Sequence, residues 1–118
     1  MPDAADILPG TLDLMILAVL AGAPEHGYGI ARAIHARSGA SLLVEEGTLY
    51  PALRRLEKKG LLEGAWRQSE ANRRARYYTL SAEGSRRLAG ETDRWKRSAG
   101  AVERVIAGLA PAPQQERA

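Results

Sequence analysis

The chain has 118 residues, with 17 basic and 14 acidic side chains, two tryptophans, four tyrosines and no cysteine. That length allows one domain with room for an added interaction element, and an apolar fraction of 45% is that of a globular chain. Without cysteine there is no disulfide scaffold and no thiolate metal site, and His26 and His35 are too few for a metal centre. No metal or cofactor is therefore expected. A core this small gains from a second subunit.

The apolar run at 12–22 is about half the roughly 20 residues a membrane span needs. Asp3 and Asp6 precede it, where a signal peptide carries basic residues. The expectation is a cytoplasmic protein with no membrane partner.

The net charge of +3 is unevenly distributed. Residues 1–53 carry Arg32 and Arg37 against six acids, a balance of −4. Residues 54–76 carry eight basic groups against Glu57, Glu63 and Glu70, a balance of +5. Residues 77–118 carry seven against five, or +2. A basic segment in the middle of a small domain points to a polyanion partner.

Residues 1–10 read as an irregular arm. Thr11 is the expected N-cap of a first helix, apolar on nearly every side and ended by Gly22 and Pro24. A second helix fits 28–38, with Ile30, Ala31 and Ile34 inward and Gly39 closing it. Leu42, Leu43 and Val44 read as a short strand. A third helix is expected at 48–59, with Pro51 in its first turn. Leu49, Leu53 and Leu56 face inward and Arg54, Arg55, Lys58 and Lys59 outward, with Gly60 after the end.

Residues 62–68 and 75–80 read as two strands of a hairpin with a basic tip. Trp66 is expected to pack the hairpin on the body, with Tyr78 and Leu80 inward and Tyr77 outward. Ser81 is the expected cap of a long last helix. On it Leu88, Thr92, Trp95, Ala99, Val102, Ile106 and Leu109 follow a 4, 3 spacing, a heptad stripe with no intrachain partner of similar length. Ala110-Pro111-Ala112-Pro113 ends the helix, before a frayed tail.

This order gives a fold class: mostly α with a small β-hairpin, a winged helix-turn-helix plus a long C-terminal dimerisation helix. The expected domains are 1–80 for DNA binding, 81–110 for dimerisation and 111–118 as a tail. In a helix-turn-helix the second helix enters the major groove, and Arg and Lys meet phosphates. The expected contacts are Thr48, Tyr50, Pro51, Arg54, Arg55 and Lys58 on that helix and Arg73, Arg74 and Arg76 on the wing. Tyr28 and Tyr50, at helix starts, can donate to phosphate or serve as half-buried packing.

The residues also carry a family pattern. Its parts are Leu8-Pro9-Gly10-Thr11-Leu12, His26-Gly27-Tyr28-Gly29-Ile30, Gly47-Thr48-Leu49-Tyr50-Pro51-Ala52-Leu53, Leu56-Glu57-Lys58-Lys59-Gly60-Leu61 and Arg76-Tyr77-Tyr78-Thr79-Leu80. The chain resembles the PadR family of bacterial transcriptional regulators over about residues 7–109, in the short subgroup with a single C-terminal helix. The resemblance implies a homodimeric repressor on double-stranded DNA. A two-fold dimer in turn implies a palindromic operator. The last helix is the dimer element, and Leu12 and Ile16 of the first helix are expected to pack beside it.

Some family members take flat aromatic or drug-like effectors at the dimer interface. Trp95, flanked by the small Thr92 and Ala99, is either a large core residue of the seam or a stacking wall for such a ligand. Catalysis is not expected, because nothing places His35, Glu45 and Glu46 in a pocket. The alternatives are a winged-helix adaptor for other proteins and a small-molecule-binding dimer. Neither role needs the basic wing.

Overall fold

A computed structural model of the chain describes residues 10–108. The element order is α1 (Thr11–Leu20), β1 (Glu25–His26), α2 (Gly27–Arg37), α3 (Glu46–Lys58), β2 (Leu62–Gln68), β3 (Arg74–Leu80) and α4 (Ala82–Ala107). It is a winged helix-turn-helix followed by a long helix. Residues 1–9 of the expected arm, Leu109 and the tail at 111–118 lie outside the described residues.

The helix limits differ from the sequence reading by a few residues, each for a local reason. Gly10, not Thr11, caps α1, with φ +84 and no side-chain hydrogen bond; Thr11 is already helical. His26 caps α2, its Nδ1 accepting from the Gly29 N–H at 3.1 Å, so the helix opens at Gly27. The third helix begins at Glu46 because the Glu45 carbonyl already accepts from the Thr48 and Leu49 amides.

The close of α3 is as the glycine predicts. Gly60 has φ +81, its N–H donates to the Glu57 carbonyl, and the Leu61 N–H donates to the Leu56 carbonyl. This pair of bonds satisfies carbonyls that the helix end leaves open.

Leu42, Leu43 and Val44 form no strand. None of the three pairs with a strand, and Val44 instead turns into the core while Leu43 stays exposed. The third strand is β1. The sheet order is β1-β3-β2, antiparallel throughout, with Glu25 opposite Tyr78 and His26 opposite Tyr77. In the hairpin Trp66 lies opposite Arg76 and Gln68 opposite Arg74.

One core joins Leu12, Ile16, Leu17, Val19 and Leu20 of α1, Ile30 and Ile34 of α2, and Leu49, Leu53 and Leu56 of α3 to Leu61, Leu62 and Tyr78. Burying each large aliphatic chain contributes about 1.5–3 kcal/mol. Leu12 and Ile16, expected beside the last helix at the seam, belong to this core, and Ile16 is wholly buried within its own chain. Leu88 is likewise packed against this core.

Trp66 is also corrected. It is 55% exposed, whereas Tyr77, expected outward, is buried. The reason is β1, which pairs along the edge of β3 and brings the His26 ring against Tyr77, edge-on at 5.0 Å, while Arg67 lies over the same ring.

The chain divides into two compact units, the first reaching Leu88 and so running past residue 80 into α4. Two small residues seat that first part of α4. The Ser81 hydroxyl accepts from the Gly84 N–H at 2.9 Å and donates to the Gly60 carbonyl at 2.7 Å. Gly84 is buried so close to the Leu61 carbonyl that a Cβ would overlap it. The second unit, from Ala89, is the rest of α4, with Trp95, Val102, Val105 and Ile106 exposed.

Candidate nucleic-acid interface

The core-facing positions of α3 fix what the helix presents outward. Leu49, Ala52, Leu53 and Leu56 are buried. At 100° per residue, the positions most nearly opposite are Gly47, Pro51, Arg54 and Lys58. All four are exposed. Tyr50 and Glu57 flank this stripe on one side, and Thr48 and Arg55 on the other.

The two flanks differ. Tyr50, Arg54 and Glu57 line a wide concavity shared with Tyr28, Arg32 and His35 of α2 and with Trp66, Arg73, Arg74 and Arg76 of the wing. On the far flank Arg55 forms an ion pair at 2.5 Å with Asp13 of α1. Its charge serves to join two helices.

Arg76 is committed too. Its Nη2 is 2.5 Å from Glu57 Oε2, and its Nε is 3.4 Å from Oε1. Both side chains are about one-third exposed. Hydrogen bonding to Glu57 holds the guanidinium more firmly protonated than usual. Gly64 makes room for it, since a Cβ there would lie 2.7 Å from Arg76 Nε. This pair fastens the wing to α3. Arg54, Lys58, Arg73 and Arg74, all exposed, have no ion pair among the described residues.

Tyr50 is half-buried over Gly27, whose missing side chain is required: a Cβ there would sit 2.5 Å from the phenol ring. Burial, and then the nearby Glu46 charge, raise the Tyr50 hydroxyl above its ordinary value of 10.0. It is thus a donor at neutral pH. Tyr78 is raised similarly, first by burial and then by Glu57.

Tyr28, 61% exposed, takes part in a column that sequence reasoning missed. Arg32 lies 5.6 Å from the Tyr28 ring, Tyr28 stacks on His26 at 6.4 Å, His26 meets Tyr77, and Arg67 lies 4.0 Å from Tyr77. Two guanidinium groups thus close the ends of a run of three rings that reaches from α2 across the sheet. The i, i+4 spacing of Tyr28 and Arg32 was a readable signal; the Arg67–Tyr77 contact depends on register and was not.

The wing tip is held by its own turn. Asn72 has φ +62, a region asparagine tolerates, and its N–H donates to the Ser69 carbonyl at 2.9 Å. Gln68 Nε2 donates to Asn72 Oδ1 at 2.8 Å. These bonds set where Arg73 and Arg74 emerge.

Comparison with known proteins agrees with this architecture. The family model described as Transcriptional regulator PadR-like family matches residues 16–90. A transcriptional regulator from Clostridium thermocellum is similar in structure, with a TM-score of 0.75 and 27% identity, covering 84% of this chain and 96% of that one. A PadR family transcription regulator from hypervirulent Clostridium difficile gives 0.69 at 29% identity, covering 82% and 99%. A PadR family transcriptional regulator from Eggerthella lenta gives 0.70 at 30%, covering 82% of each chain. An uncharacterized protein from Lysinibacillus sphaericus is 29% identical over 105 residues, 89% of this chain and 96% of that protein. With its winged helix-turn-helix and a family match over most of its length, the chain belongs to the PadR-like family of transcriptional regulators.

Proposed function

We propose that the chain is a sequence-specific DNA-binding repressor acting as a homodimer. The outward stripe of Gly47, Pro51, Arg54 and Lys58 on α3 carries this reading. Two exposed cations, a proline and a glycine make a slim, positive ridge suited to the floor of a major groove. Arg73 and Arg74 on the wing tip meet phosphates, while Tyr50 donates from the N-terminal turn. Arg55, Arg76 and Thr48 take supporting or marginal positions in this scheme.

The dimer forms through the second part of α4. Trp95, Val102 and Ile106 are exposed large apolar side chains along one stripe, and Val105 beside them is 75% exposed. Such residues stay in water only at a cost that pairing removes. Trp95 with Thr92 and Ala99 then borders a slot for a flat apolar effector, whose binding lowers operator affinity.

A mobility shift with the DNA upstream of the chain's own gene tests this reading. A discrete complex that competitor DNA of random sequence leaves intact supports it; no complex at low salt contradicts it.

A further inference from the structure

Trp66 stands in water although Tyr78 and Arg76, on the same hairpin face, are held down. Cross-strand partners project from the same side of a sheet. Trp66 is opposite Arg76, Gly64 opposite Tyr78, and Gln68 opposite Arg74. Tyr78 is buried in the core and Arg76 is paired with Glu57 of α3. The indole therefore stands on the α3 side of the wing, one step outward from that ion pair. It lines the concavity together with Tyr50 and Arg54.

Two guanidinium groups lie near the ring, Arg74 at 5.0 Å and Arg76 at 5.6 Å from its centre. The charge of Arg76 is matched by Glu57. That of Arg74 is matched by no ion pair among the described residues. The result is a flat apolar surface with an N–H donor at its edge and an unneutralised cation held beside it.

A sugar–phosphate backbone offers the complementary chemistry. Its anionic oxygen suits the guanidinium and the indole N–H, and the deoxyribose C–H face suits the ring. With a helix in the major groove and a wing across the adjoining minor groove, one DNA strand passes between the two. We propose that Trp66 and Arg74 clamp one phosphate and its sugar of duplex DNA in the cleft between the wing and α3. This rests on the DNA-binding reading above and adds to it a contact through an uncharged side chain.

The test uses the full chain carrying Trp95→Phe, so that only Trp66 fluoresces. The probe is a 30-bp duplex of random sequence at low salt, because a backbone contact needs no operator. Saturating duplex should shield Trp66 from acrylamide quenching. Adding Trp66→Phe, which keeps a ring but removes the N–H, should lower affinity about 3- to 10-fold. The salt slope should not change, since indole is uncharged. Arg74→Ala should reduce that slope by about one per chain. Thermal melting of Trp66→Phe should match the parent, as expected of an exposed residue.

Trp66 equally quenched with and without saturating duplex would overturn the clamp and leave the proposed function standing. So would unchanged affinity in Trp66→Phe. A parent chain that binds no duplex at all would overturn the proposed function, and the clamp with it.

Discussion

Arg76 of β3 and Glu57 of α3 are joined by two hydrogen bonds, so the wing and the helix it accompanies are fixed to one another by a single ion pair. A cation so engaged has little charge left for phosphate. Removing the neutral pair together, Arg76→Ala with Glu57→Ala, should therefore weaken duplex binding while leaving its salt slope nearly unchanged. Glu57→Gln frees the guanidinium and should steepen the slope. Fluorescence anisotropy across a salt series distinguishes the cases. A slope lowered by the double variant as much as by Arg74→Ala would contradict the positioning role.

The seat of α4 gives a stability prediction. A Cβ at Gly84 meets the Leu61 carbonyl and lies 2.7 Å from Leu80 Cδ1. Neither backbone nor packed leucine yields cheaply, so Gly84→Ala should destabilise by about 2–3 kcal/mol. Gly90 on the same helix has nothing within 4 Å, and Gly90→Ala should stabilise by about 0.5–1 kcal/mol. Urea denaturation of both variants checks the contrast; equal effects would contradict it.

The tyrosines give a pH dependence. Burial raises both Tyr50 and Tyr78 above the ordinary 10.0, so the folded chain holds these protons more tightly than the unfolded chain does. The stabilisation is complete below pH about 10 and is lost as pH rises through the folded values. Between pH 8 and about 11, the urea midpoint should fall less in Tyr78→Phe than in the parent. Lysine titration is common to both proteins and cancels. An equal fall would contradict the assignment.

Assembly is read from the exposed apolar side of α4. Val102 is 56% exposed. Val102→Asp should give a monomer in sedimentation and leave the helical circular dichroism of the first unit intact. A parent chain that is monomeric at micromolar concentration would refute the pairing.

Much of this was legible in the sequence because it is local. Leu49, Leu53 and Leu56 mark the inner side of α3 by period alone, and Gly60 and Ser81 mark ends through conformation and hydrogen bonding. Relationships between distant segments were not legible. Nothing near Glu25 and His26 distinguishes a two-residue strand, which exists only because β3 presents an edge. Without that strand Tyr77 looks outward.

The same reason hid the use of charge. Arg54 and Arg55 are adjacent and chemically equal, yet one faces the concavity and the other pairs with Asp13, 42 residues away. The basic balance of residues 54–76 pointed to a polyanion partner. It could not tell which cations are free, because their partners lie in other elements. For a related reason, the apolar position of Ile16 on α1 does not by itself reveal which neighbour covers it.

The salt dependence of duplex binding, measured on the parent and on Arg54→Ala, bears most directly on the claim that α3 and the wing form a DNA-reading surface. A complex neutralising about six to ten phosphates should lose roughly 10³–10⁵ in affinity between 50 and 200 mM salt. Arg54→Ala should flatten that dependence and, where Arg54 meets a base edge, relax sequence preference by about 1–3 kcal/mol per half-site. Binding that ignores salt, or an Arg54→Ala chain that matches the parent in both slope and preference, would contradict the account.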